Sequence, residues 1–111
     1  MHWINTKHAM QKQKKIKCEQ IILLLKQSKL ELRHRFGVTR LALFGSIVRD
    51  QAYPDSDVDI LVAFDGPAIS KRYFGVQFYL EDLLGYPVDL VTEKALRPEL
   101  RPYIEREKVD V

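Results

Sequence analysis

The sequence predicts a single α/β domain, a small mixed β-sheet packed with helices. Three observations carry that prediction. At 111 residues the chain can enclose one hydrophobic core and has little room for a second lobe. Three short apolar runs, over residues 38–44, 57–64 and 87–91, are bounded by turn-forming residues, as buried strands are. Helical spacing of apolar residues before, between and after them gives the order helix, strand, helix, strand, helix, strand, helix.

Residues 1–15 have no useful periodicity and read as a basic N-terminal extension, with Met10 a second candidate start; the domain is expected to span 16–111. Residues 16–25 read as a helix with Ile21, Ile22, Leu24 and Leu25 on one broad face. "SKLE", Ser28 to Glu31, has capping-box spacing, in which hydroxyl and carboxylate satisfy orphan amides reciprocally. A second helical piece over 29–36, closed by Gly37, is therefore predicted. "VTRLALF" is the first strand, running straight into a Gly45-Ser46 turn, a helical turn over 47–51 and the loop "YPDSD". "DVDILVAF" is the second strand, stopped by Asp65-Gly66-Pro67. Residues 70–84 form a helix with Phe74, Leu80, Leu83 and Leu84 facing inward, ended by Gly85. "PVDLV" is the third strand, and 97–107 a helix interrupted at Pro102, which lacks the amide a continuing helix needs.

Composition narrows the functional classes. A 46% hydrophobic, 30% charged chain is ordinary for a soluble domain. The longest aliphatic run, 21–25, is far too short to span a bilayer, so no membrane role is expected. No export signal opens the chain and Cys18 has no partner for an internal disulfide; a cytoplasmic protein is the expectation. Charge is unevenly spread. Residues 1–40 carry ten Lys/Arg against Glu19 and Glu31, a net of +8, while 41–111 carry eight against thirteen acids, a net of −5. The basic arm reads as a solvated, partly disordered tail, with weak nucleic-acid contact as the alternative. No aromatics alternate with Lys12, Lys14, Lys15 and Lys17, so a stacking platform for single strands is not indicated. His2, His8 and His34 lack metal-ligand spacing, and Trp3 reads as an incidental tail aromatic, with a partner anchor as the alternative. Tyr73, Phe74, Phe78 and Tyr79 fit a helix packing a core, with a partner groove as the alternative.

The chemistry concentrates in "LFGSIVRDQAYPDSDVDILVAF". Side chains alternate along a strand, so Asp57 and Asp59 share a face about 7 Å apart, while Val58, Ile60, Val62 and Phe64 face the core. Two such carboxylates repel each other unless a cation or proton sits between them. Oxygen-only ligands favour Mg²⁺ or Mn²⁺. Asp89, at the mouth of the next strand, supplies a third carboxylate if the strands are neighbours. Gly45 lets backbone approach a ligand, Ser46 can donate to a phosphate oxygen, and Arg49 can neutralise phosphate or pair with a carboxylate. A Gly-Ser turn alone is usually structural, and a lone Asp-x-Asp is usually a solvated strand edge. Together, in this order, they describe a nucleotide site with two metal ions.

Gly45-Ser46, ten residues, then Asp57-Val58-Asp59, with "GYPVDLVTEKALRPELRPYI" downstream, resembles the minimal nucleotidyltransferase (MNT, MntA-type antitoxin) branch of the polymerase-beta-like nucleotidyltransferase superfamily. The likeness covers residues 36–109 and implies the palm-like nucleotidyltransferase fold. It implies that Gly45 and Ser46 bind nucleotide phosphates and that Asp57 and Asp59 chelate magnesium. Asp89 would complete the metal site and help activate an incoming hydroxyl. Members commonly carry Gly-Glu where this chain has Asp50-Gln51; Asp tolerates a left-handed backbone, so the turn is expected to survive.

The resemblance further implies an antitoxin that moves AMP from ATP to a tyrosine of a cognate HEPN-domain RNase toxin, in a hetero-oligomer and with two Mg²⁺ ions. Added phosphodiester charge there would block RNA entry. Two alternatives stand beside it. A nucleotidyltransferase acting on a small molecule would need a lobe this chain has no residues to build. A non-catalytic antitoxin would act by steric binding, through the face of residues 16–32 or the last helix. Tyr53 and Tyr103 are candidates for self-modification, although nothing in the sequence selects them.

Overall fold

The computed structural model describes residues 15–111. All of the basic extension except Lys15 lies outside the described residues, with His2, Trp3, His8 and Met10. The elements are α1 (Cys18–Phe36), β1 (Val38–Phe44), β2 (Val58–Phe64), α2 (Ser70–Leu84), β3 (Val88–Thr92), α3 (Arg101–Glu107) and β4 (Val109–Asp110). Short 3-10 turns at Gly45–Ile47 and Glu93–Ala95 follow β1 and β3. The sheet order is β3-β2-β1-β4. β1 is antiparallel to both β2 and β4, whereas β2 and β3 run parallel, joined by the α2 crossover that such a pair requires. The sheet is therefore mixed, as predicted.

One sheet face and helices α1 and α2 enclose the main core. Val58, Ile60 and Val62 of β2 are fully buried there, with Phe64 half-buried against them, as their alternation requires. α2 contributes Val76, Leu80 and Leu84, four residues apart on one face. Leu80→Ala is expected to cost about 2–5 kcal/mol, read as a lower urea midpoint, because a fully buried Leu leaves a cavity behind. The opposite sheet face is thinly covered. Ala42, Leu61 and Leu96 form a small cluster against which Phe44, Val91 and Ile104 of α3 pack. Among the described residues no helix is long and apolar enough to cross a membrane.

Four local predictions are corrected. α1 is one helix, not two: the Ser28 hydroxyl donates back to the Leu25 carbonyl at 3.0 Å instead of capping a new start. Burial of both Leu25 and Leu32 in one core favours an unbroken helix over the capping box, and Glu31 pairs with Arg35 at 3.2 Å. Residues 97–100 form a turn before α3, whose first turn contains Pro102, where a missing amide breaks no helical bond. Phe74 stands 49% exposed, stacked on Phe78 at 6.3 Å, and Val76 takes the core position instead. The helical turn expected over 47–51 is a 3-10 turn that begins two residues earlier, at Gly45–Ile47. β4 is an addition that no sequence pattern announced.

Candidate active site

The site is built at one end of the sheet, where β1 leaves it and β2 and β3 enter. At the close of β1 the chain turns through Gly45, whose φ of +76° suits a residue without a Cβ. Val48 and Arg49 amides both donate to the Gly45 carbonyl, and fully buried Ile47 pins the turn to the core. Asp50 carries φ +59°, so the left-handed conformation expected of this position is realised. The chain then crosses a surface loop and returns as β2. Asp57 lies one residue before that strand, and the Val58 amide donates to the Pro87 carbonyl at 2.8 Å, locking the β2 entry to the β3 entry.

Register brings the chemistry together. Asp59 pairs with Phe44 across the antiparallel ladder and with Asp89 across the parallel one. It therefore sits between the residue preceding Gly45 and the second strand-mouth carboxylate. A Cβ at Gly45 would overlap the Asp59 carboxylate, so the two are in direct contact. Asp59 is half-buried, while Asp57 and Asp89 are exposed at the rim. Burial, then the charge of Asp89 and a hydrogen bond to it, then the charge of Asp57, push the Asp59 carboxyl from the usual 3.8 up to about 6; Arg49 opposes this. Tyr73, whose hydroxyl donates to the Leu90 carbonyl, is also pushed up, by burial and then by the charge of Asp89.

The structure thus brings Asp57, Asp59, Asp89, Gly45 and Arg49 to one rim, with Ser46 half-buried in the same turn. Among the described residues no three or more His, Cys, Asp and Glu side chains are already drawn into a preformed metal cluster. Burial, with the charges of Asp89 and Asp57 added to it, nonetheless raises the Asp59 carboxyl above its ordinary range. An all-oxygen set under that mutual repulsion fits a hard divalent cation, whose charge would relieve it.

One residue of the site escaped sequence reasoning. The Glu107 carboxylate, at the end of α3, accepts from the Gly45 amide at 2.7 Å and from the Arg49 guanidinium at 2.7 Å. No local signal could have found it, since 62 residues separate Glu107 from Gly45 and only the return of α3 over the sheet joins them.

Residues 25–111 match the family model described as a nucleotidyltransferase domain. The chain belongs to the nucleotidyltransferase family. Within that family it is of the minimal, MntA type. It is 44% identical over 93 residues to the protein adenylyltransferase MntA of Thermococcus cleftensis, covering 84% of this chain and 94% of that one. A solved structure provisionally named as a minimal nucleotidyltransferase superposes with a TM-score of 0.72 at 35% identity, over 86% of this chain and 97% of that one. A toxin–antitoxin with AMP-PNP superposes with a TM-score of 0.62 at 21% identity, over 86% of this chain and 72% of that one, a likeness of fold. The family match, over residues 25–111, spans the turn after β1 and the mouths of β2 and β3 in this nucleotidyltransferase.

Proposed function

We propose that this nucleotidyltransferase transfers AMP from ATP to a tyrosine hydroxyl of a cognate HEPN-domain toxin, with magnesium, and thereby acts as its antitoxin. The observation that carries the reading is Asp59. It is wedged in register beside Asp89 and against the Gly45 turn, with its carboxyl pushed up to about 6 by burial and then by the charges of Asp89 and Asp57. A fold does not keep such a cluster for stability. The MntA relative from Thermococcus cleftensis is named a protein adenylyltransferase, which favours a protein acceptor.

In this reading the Gly45 amide, Ser46 and Arg49 hold the phosphates, and Asp57, Asp59 and Asp89 hold the metal. Magnesium held there, two ions by the resemblance, would supply charge neutralisation at the phosphates and lower the cost of ionising the acceptor. The acceptor oxygen bonds to the α-phosphorus as the bond from that phosphorus to the α–β bridging oxygen breaks. Pyrophosphate leaves with the electron pair, and Asp89 takes the hydroxyl proton. Arg49 neutralises charge on the phosphates.

The test is direct. The purified chain, the protein encoded beside it, Mg²⁺ and ATP labelled in the α-phosphate are expected to give labelled partner, and chelation of the metal to abolish the labelling. A complex that forms but takes up no label would refute the transfer.

A further inference from the structure

The Glu107 carboxylate occupies the two donors that a phosphate needs. Its Oε1 accepts from the Gly45 amide and its Oε2 from the Arg49 guanidinium, each at 2.7 Å. A carboxylate and a phosphate oxygen present the same sign of charge and the same acceptor character to an N–H group, so they compete for it. We infer that Glu107 is an internal occupant of the phosphate cradle. Nucleotide enters only as this carboxylate, and the α3–β4 segment that carries it, move off Gly45 and Arg49. The inference rests on the nucleotide reading of this site and deepens it by naming what the triphosphate must displace.

The carrier is built to move. α3 has seven residues and no fully buried side chain; Ile104 is its half-buried contact with the cluster of Ala42, Leu61 and Leu96. β4 has two residues, paired with Ala42 and Leu43; after it the Val111 amide donates to the Leu41 carbonyl and its half-buried side chain packs on the edge of the main core. Segments with few buried apolar contacts open at low free energy. The internal pairs of Lys108 with Glu105 and Asp110 lie within the segment and travel with it. Once a phosphate takes both donors, Glu107 is left facing like charge, so bound nucleotide and seated Glu107 exclude each other. Nucleotide occupancy is thereby written onto the outer edge of the sheet.

A different role gives the opposite result. If Glu107 only braces α3 against the loop, removing its charge loosens the site and weakens binding. The experiment is calorimetric titration of a non-hydrolysable ATP analogue with Mg²⁺ into the wild-type chain and Glu107→Gln. Glutamine keeps an acceptor oxygen for the Gly45 amide but loses the charge. The variant is expected to bind roughly tenfold tighter. In the wild type, amide hydrogen exchange over residues 101–111 is expected to rise when the analogue saturates. Equal or weaker affinity in a folded variant overturns the inference. So does unchanged exchange in the saturated wild type, even if the variant does not fold. Binding by the wild type with either of those results removes the role of Glu107 alone. A wild type that binds no analogue removes the nucleotide reading as well.

Discussion

Asp59→Asn is expected to do two opposite things at once. AMP transfer should fall by at least about a thousandfold, since several kcal/mol of metal-borne charge stabilisation lose their half-buried ligand. The metal-free protein should become more stable at pH 8. The sign follows from the raised carboxyl of Asp59. Its value of about 6 in the folded chain lies above the ordinary 3.8, so the folded state holds this proton more tightly than the unfolded one. That contribution is complete below pH 3.8 and is lost as pH rises to about 6, leaving an unfavourable charge at neutrality. Asparagine removes the loss. With solvent screening allowed for, the gain at pH 8 is about 1 kcal/mol, or about 4 °C in Tm, and it vanishes near pH 4. A variant with full transfer activity would contradict the catalytic reading; one no more stable at pH 8 than wild type would contradict the burial and crowding of this carboxylate. The same variant separates catalysis from steric antagonism, because a purely steric antitoxin would protect cells undiminished.

Gly45→Ala should also be damaging, by a different route. At φ +76° an L-residue costs about 1–2 kcal/mol from backbone strain. The new methyl would also meet the Asp59 carboxyl, with Cγ 2.9 Å away. Asp59 is held in the ladder between Phe44 and Asp89, so its carboxyl would have to turn away from the Gly45 turn to make room. The expectation is a loss of more than tenfold in affinity for the ATP analogue together with a lower Tm. Wild-type transfer by a folded Gly45→Ala chain would show that close approach at this turn is not required.

The contrast between what could and could not be read from sequence has a physical pattern. Residues 38–44 and 70–84 were legible to their ends because chain-reversing glycines, Gly37 and Gly85, both with positive φ, mark the neighbouring boundaries. The carboxylate trio was legible because strand alternation and a chain order that favours neighbouring strands make its convergence a matter of topology. Ser28 misled because a local capping pattern competes with burial of Leu25 and Leu32, and burial is worth more. Phe74 misled because helical spacing marks a stripe without saying how wide the covered part is. β4 and Glu107 were invisible for a shared reason. Two residues of strand and one carboxylate acquire meaning only from partners on β1 and its turn, more than sixty positions away.

The thin cover over the sheet face that bears Asp59 has a consequence for selectivity. Asp57 and Asp89 stand exposed at the rim, and among the described residues the cluster beneath α3 adds no wall beyond them. A reactive phosphorus held there would be as available to water as to any hydroxyl. In the proposed reaction, a molecule that offers the hydroxyl would then shield that phosphorus as it docks, and faithful transfer would become a property of the assembled pair.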